Sequence, residues 1–144
     1  MVTVEGEIVI DRPPDEVFDF VADQRNEPRY NPRMRHVEQL SEGPIGLGTR
    51  FRARTTSRGR AVDTIIEITA YDPPRRLGDS THMAFMDLPG GLSFDPVPGG
   101  TRMRWLWQLG PPRMPSAMGP LVPLVGHRQE RQIWTGLKRR LEGP

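Results

Sequence analysis

Apolar and polar positions alternate from the start of the chain. Val4, Ile8 and Ile10 interleave with Glu5, Glu7 and Val9, which predicts a strand over Val2 to Ile10 with one buried face. Pro14 suits a first helical position, and Asp15 and Glu16 set negative charge against the free amides there. Val17, Phe18, Phe20 and Val21 make the short helix that follows apolar on most sides, so it must be covered. Asn26-Glu27-Pro28 and Asn31-Pro32 punctuate a second short helix or turn, with Tyr30 between them.

From Met34 the period is that of antiparallel sheet. Strands are predicted over Arg33–Leu40, Thr49–Thr56, Ala61–Tyr71, Arg76–Phe85, Leu92–Pro96 and Thr101–Leu109. The turns between them carry Gly43-Pro44, Ser57-Arg58-Gly59-Arg60, Asp72-Pro73-Pro74, Leu88-Pro89-Gly90-Gly91 and Pro98-Gly99-Gly100. Val62, Ile66, Ile68 and Ala70 fall on one face of the third of these strands. On the last, Thr101, Met103, Trp105, Trp107 and Leu109 share a face, where two tryptophans suit either a core or the wall of an apolar pocket.

Prolines 111, 112 and 115 prevent a continuous helix over Gly110–Gly119. Beyond Pro123 the period changes to three and four. Val122, Gly126, Glu130, Ile133, Trp134, Leu137 and Leu141 form one stripe of a long helix reaching about Leu141. Gly126 and Glu130 interrupt that stripe where large apolar side chains would normally pack. Leu121, Leu124 and Val125 lie off it and call for a cover, such as a second copy of the chain or a membrane surface.

Composition narrows the class. A chain of 144 residues fits one domain over 1–144. It has no cysteine, which excludes disulfides and thiolate metal sites. No apolar run approaches the roughly 20 residues that span a bilayer, and residues 1–10 lack the basic start of a signal peptide, so stable membrane insertion is not expected and a cytoplasmic location is. Every basic residue but Lys138 is arginine, yet the formal net charge is only +2. Arg50, Arg52 and Arg54 share one strand face, with Asp63 and Glu67 on the next strand and Glu5 and Glu7 on the first to answer them, which reads as cross-strand pairing on a solvated face. Nucleic-acid binding would need exposed aromatics among those arginines, and Phe51 points the other way.

The ordered features then resemble a known family. Pro13-Pro14-Asp15-Glu16-Val17-Phe18 with Val21 and Asp23, Tyr30-Asn31-Pro32, Gly46-Leu47-Gly48-Thr49, Tyr71-Asp72-Pro73-Pro74-Arg75-Arg76-Leu77, Gly99-Gly100-Thr101-Arg102 and Leu137-Lys138-Arg139-Arg140-Leu141-Glu142 are similar to the START, birch-pollen-allergen and polyketide-cyclase superfamily. The resemblance is strongest to its polyketide cyclase/dehydrase branch, although Tyr30 stands where that family more often has tryptophan. It implies an α+β helix-grip fold, in which a seven-stranded bent antiparallel sheet wraps a long C-terminal helix and two short helices follow strand one. A deep cavity between sheet and helix is implied as well. Catalysis is not, because many such domains only bind or carry apolar molecules.

Familiar catalytic constellations are missing from the sequence. His36, His82 and His127 are scattered without a second ligand at metal spacing, so neither a metal nor a cofactor is expected. Gly43-Pro44-Ile45-Gly46-Leu47-Gly48 lacks the lysine and hydroxyl of a phosphate loop. Glu130 is the sharpest candidate acid–base group, since burial on the helix stripe would raise its pKa. His82 is a second candidate, on a strand where either Gly78, Ser80 and His82 or Leu77, Asp79 and Thr81 face inward. Phe51, Ile66, Ile68, Met103, Trp105, Trp107, Gly126, Gln129, Glu130 and Ile133 are expected to line the pocket. The expected occupant is a hydrophobic or aromatic small molecule, lipid-like or polyketide-like. The alternatives are an aromatase/cyclase-type enzyme working in the same cavity, or an interaction module forming a homodimer.

Overall fold

A computed structural model describes residues 2–57, 59–83, 87–109 and 121–143. Its strands are β1 (Val2–Ile10), β2 (Met34–Gln39), β3 (Arg50–Ser57), β4 (Arg60–Asp72), β5 (Arg76–His82), β6 (Asp87–Val97) and β7 (Gly100–Leu109). They form one antiparallel sheet in the order β1-β7-β6-β5-β4-β3-β2. Helix α1 (Pro14–Ala22) and a 3-10 helix (Gln24–Arg29) carry the chain from β1 at one edge to β2 at the other. Helix α2 (Leu121–Glu142) closes the chain. This is the helix-grip architecture that the hydrophobic pattern and the resemblance implied.

Sequence chemistry accounts for these elements. Proline at its start and Asp15 and Glu16 in its first turn favour α1, which buries Val17, Phe18, Val21 and Ala22. Asp23 caps the next helix by accepting from Arg25 N at 3.1 Å. The last turn of α2 carries Arg139 and Arg140, which suit its C-terminal dipole. That end is fastened to the tail of β1: Lys138 Nζ donates to Val9 O at 2.8 Å, Arg12 Nε to Leu141 O at 2.7 Å, and Asp11 N to Glu142 Oε2 at 2.8 Å.

On the outer face, Arg52–Glu38 and Arg54–Asp63 each lie 3.0 Å apart and Arg50–Glu67 3.7 Å. The stripe therefore meets Asp63 and Glu67 as expected and Glu38 in addition, whereas Glu5 and Glu7 do not answer it: β1 lies at the other edge of the sheet, where Glu7 pairs with Arg102 at 3.1 Å.

Two expectations about the sheet need correction. Leu88-Pro89-Gly90-Gly91 is not a turn but the first half of β6, with Gly90 opposite both Asp79 and Trp107. The glycines serve close approach: a methyl on Gly90 would collide with the Trp107 ring, and one on Gly6 with Trp105. Each tryptophan thus lies across a glycine on a paired strand. Ala70 also departs from the face of Ile66 and Ile68, because a bulge after Ile68 sets Ala70 opposite Gly78 and leaves it exposed. Of the predicted Arg76–Phe85 strand, the part through His82 is strand, and Phe85 lies outside the described residues.

Candidate functional site

The bulge also resolves the facing of β5. Ile68 pairs with Asp79 and Ile66 with Thr81, so Leu77, Asp79 and Thr81 belong to the face that looks toward α2. Asp79 is only 7% exposed. His82 turns the other way, and its Nδ1 lies 2.7 Å from Asp87 Oδ1 with the ring 40% exposed. His82 therefore stands apart from the interior.

The predicted lining set divides. Phe51, Ile68 and Met103 are fully enclosed and Ile66 and Trp105 nearly so, while Trp107 and Ile133 pack part-buried against them. Gly126 is a contact point between α2 and β1, where an added methyl would meet Val4 Cγ2 at 2.8 Å. Gln129 is half-buried on α2, one residue before Glu130. Leu121, Leu124 and Val125 lie outside the residues whose side chains are described.

Glu130 does reach the interior. Its Oε2 accepts from Trp134 Nε1 at 2.7 Å. Burial raises its pKa, offset partly by the Trp134 bond and by the nearby Trp107 indole, whose N–H stops short of hydrogen-bond geometry.

Two further carboxyls join it. Glu27 has a part-exposed stem, but its carboxyl is enclosed and accepts from Asn31 Nδ2 at 2.8 Å. Burial pushes it up to about 7, against the Asn31 bond and with the help of Glu130. Asp79 is pushed up to about 8, again chiefly by burial and then by Glu27 and Glu130. Tyr30 shares the neighbourhood: burial and then the charges of Glu27, Asp79 and Glu130 hold its hydroxyl well above the usual phenol range. Gln24 Nε2 donates to Asp79 Oδ2 over a long 3.4 Å.

Around these groups runs a row of aromatic rings. Tyr30 lies 6.0 Å from Phe20 and 6.0 Å from Trp134, and Trp134 lies 6.2 Å from Trp105. Several polar atoms are buried without a hydrogen-bond partner among the described residues: Gln24 Oε1, Tyr30 Oη, Arg33 Nη1, Asp79 Oδ1, Trp105 Nε1 and Trp107 Nε1. Buried polar atoms are ordinarily paired, so this concentration sets the region apart from an ordinary core. A separate open groove of about 800 Å³ lies between Glu5, Glu7, Gly91, Ser93 and Arg104, and none of the three buried carboxyls lines it.

Sequence reasoning found Glu130, left Asp79 open and passed over Glu27 and Gln24. Their one signal was the spacing of Gln24, Glu27, Tyr30 and Asn31 at three and four residues, which a turn rich in polar residues and proline conceals.

An antiparallel sheet gripping a terminal helix over an aromatic interior with buried acids defines a domain of the helix-grip class. The chain belongs to the polyketide cyclase/dehydrase and lipid transport family, whose sequence model matches residues 1–142. No curated protein matches it. Among solved structures, TTHA0849 from Thermus thermophilus is similar over 96% of each chain, with 22% identity and a TM-score of 0.81. A START superfamily protein from Mycobacterium smegmatis is similar over 97% of each chain, with 16% identity and a TM-score of 0.82. The di-domain ARO/CYC BexL of the BE-7585A biosynthetic pathway is 22% identical, with a TM-score of 0.82 over 99% of this chain and 47% of its own. These likenesses establish the fold.

Proposed function

We propose that this protein binds a hydrophobic or aromatic small molecule, lipid-like or polyketide-like, between the sheet and α2, in a cytoplasmic setting. The observation that carries this reading is the set of unpartnered polar atoms on an otherwise apolar and aromatic interior. An apolar body would lie against Ile66, Trp105, Trp107 and Ile133, which belong to or pack against the core cluster, and a few polar groups would orient it. The family description, which joins cyclases with lipid transport, agrees with such a ligand.

All three tryptophans of the chain belong to this interior, so native mass spectrometry and tryptophan emission report on the same space. Protein purified from its host is expected to carry a small molecule that leaves on denaturation, with a shift in emission when it is stripped. A mass equal to the bare chain and unchanged emission would sink the proposal.

A second reading, aromatase/cyclase-type catalysis in the same space, is favoured by the raised pKa of Asp79 and Glu27, since acids near neutrality suit proton transfer to and from a poly-carbonyl chain. The similarity to the ARO/CYC protein BexL supports it as well. Under this reading, Asp79→Asn and Glu130→Gln retain the ligand and lose turnover of a poly-β-ketone substrate by about 100-fold or more. Unchanged turnover in both variants removes it.

A further inference from the structure

On the outer face of the sheet, acids meet arginines: Glu38 pairs with Arg52, Asp63 with Arg54, Glu67 with Arg50, and Glu7 with Arg102. Inside, the pattern breaks. Glu27, Asp79 and Glu130 come from three different elements and converge, and none forms an ion pair with a basic residue among those described. In a chain this rich in arginine, no described guanidinium lies within ion-pair distance of these three carboxyls, so a positive charge that would hold them ionised is missing beside them.

Two independent observations give that missing charge a place and a chemistry. Asp79 Oδ1 and Gln24 Oε1 are acceptors without donors, on side chains only 7% and 4% exposed. The Tyr30 hydroxyl, on a residue 6% exposed, is unpartnered beside them. The walls next to these acceptors are the faces and edges of Tyr30, Trp134, Trp105 and Trp107, and aromatic faces attract organic cations through their quadrupoles. Trp105 already holds one cation this way, with the Arg131 guanidinium carbon 5.6 Å from its ring centre. Among the described residues no group of histidines and carboxylates has the arrangement of a metal site.

We propose that the pocket selects an organic cation, an apolar or aromatic molecule bearing a protonated amine whose N–H groups donate to Asp79 Oδ1 and Gln24 Oε1, with Glu27 and Glu130 supplying the remaining negative field. The inference rests on the ligand-binding reading above and names the class of ligand. The amine satisfies the orphaned acceptors and favours the ionised form of the acids around it. The aromatic row accommodates both its charge and its apolar body. A fatty acid or other carboxylate brings a further acid to a site that already lacks a cation, and is expected to bind weakest of the three classes.

The test needs only three probes on one skeleton: 1-naphthylmethylammonium, 1-naphthylmethanol and 1-naphthoate. Each is titrated calorimetrically into stripped protein near neutral pH. A desolvated, charge-assisted contact predicts that the ammonium binds at least about tenfold tighter than the alcohol, with the carboxylate weakest. Asp79→Asn and Glu27→Gln are each expected to shrink the preference for the ammonium over the alcohol several-fold. Because the probe series is read on the unaltered protein, failure of a variant to fold does not blunt the test. Alcohol binding as tight as ammonium overturns the cation proposal and leaves the ligand-binding reading standing, as does tighter naphthoate. Absence of binding by all three probes overturns the cation proposal, and a bare chain in the mass spectrometer separately removes the broader reading.

Discussion

Asp79→Asn is expected to stabilise the ligand-free protein above neutral pH and to flatten its pH dependence. In the folded chain, burial holds the Asp79 carboxyl up at about 8, against 3.8 for an ordinary aspartate, and Glu27 at about 7, against 4.5. In the unfolded chain both ionise near their ordinary values. For an acid raised in the fold, the contribution to stability is complete below the unfolded pKa and is lost as pH climbs toward the folded one. Stability therefore declines between about pH 5 and pH 8, on the order of 1 kcal/mol per pH unit for each group still protonated only in the fold. Asparagine keeps the shape and an acceptor for Gln24 but has no proton to lose, so the variant should lose roughly half of the slope. Urea denaturation of stripped protein at several pH values measures this directly. A stability that rises across the same interval would mean that these carboxyls are charged and answered inside the fold. Asp23 and Glu142 act in the opposite sense, but lower on the scale. Burial raises Asp23, yet its bonds from Arg25 outweigh that rise, and Lys138 holds Glu142 down, so their contributions disappear only toward acid pH.

Phe18→Ala should cost about 3–5 kcal/mol, among the largest losses open to a single truncation in this protein. Phe18 is fully enclosed, and its ring stands edge-on to Tyr71 at 5.4 Å and to Phe94 at 5.3 Å. It projects from α1, whose contacts to β6 and β7 close one end of the sheet's concave face. Removing the ring leaves a void lined by two aromatics that cannot fold into it without leaving their own strands, so little of the cavity can collapse. The denaturation midpoint should fall with an unchanged m-value. A loss under about 1 kcal/mol would mean that α1 repacks and that this end of the sheet is soft.

Much of the architecture was legible because it depends on local alternation. The period of two in Thr101, Met103, Trp105 and Trp107 placed the inner face of β7 correctly, and the period of three and four placed Trp134 and Leu137 against the sheet. The pairing of the arginine stripe with Asp63 and Glu67 was readable for the same reason, since partners across one hairpin follow from register, whereas Glu5 and Glu7 on β1 were placed beside it wrongly because strand order across the sheet is not local. The misreadings arose where a residue answers to a distant neighbour. Pro89-Gly90-Gly91 has the composition of a turn, yet it is strand because Trp107 occupies the space a side chain at Gly90 would need. The bulge after Ile68, which decides whether Asp79 or Ser80 looks inward, leaves no mark in the alternation of β5 itself.

The buried acids show the same division more sharply. Glu130 stood out because a carboxylate interrupts an apolar helical stripe. Glu27 and Gln24 lie in a short polar segment with no stripe to interrupt, and their burial is imposed by what packs over them. By itself the sequence determined the elements, their order, the family and the apolar character of the inner faces, because each is set by residue period and short-range sterics. Tertiary structure alone decided that Gln24, Glu27, Asp79 and Glu130 meet, that His82 points away and that, among the described residues, no arginine answers the interior acids. Burial and charge proximity depend on which parts of the chain come together in space, and a carboxyl's chemistry changes only once its neighbours have removed the water around it.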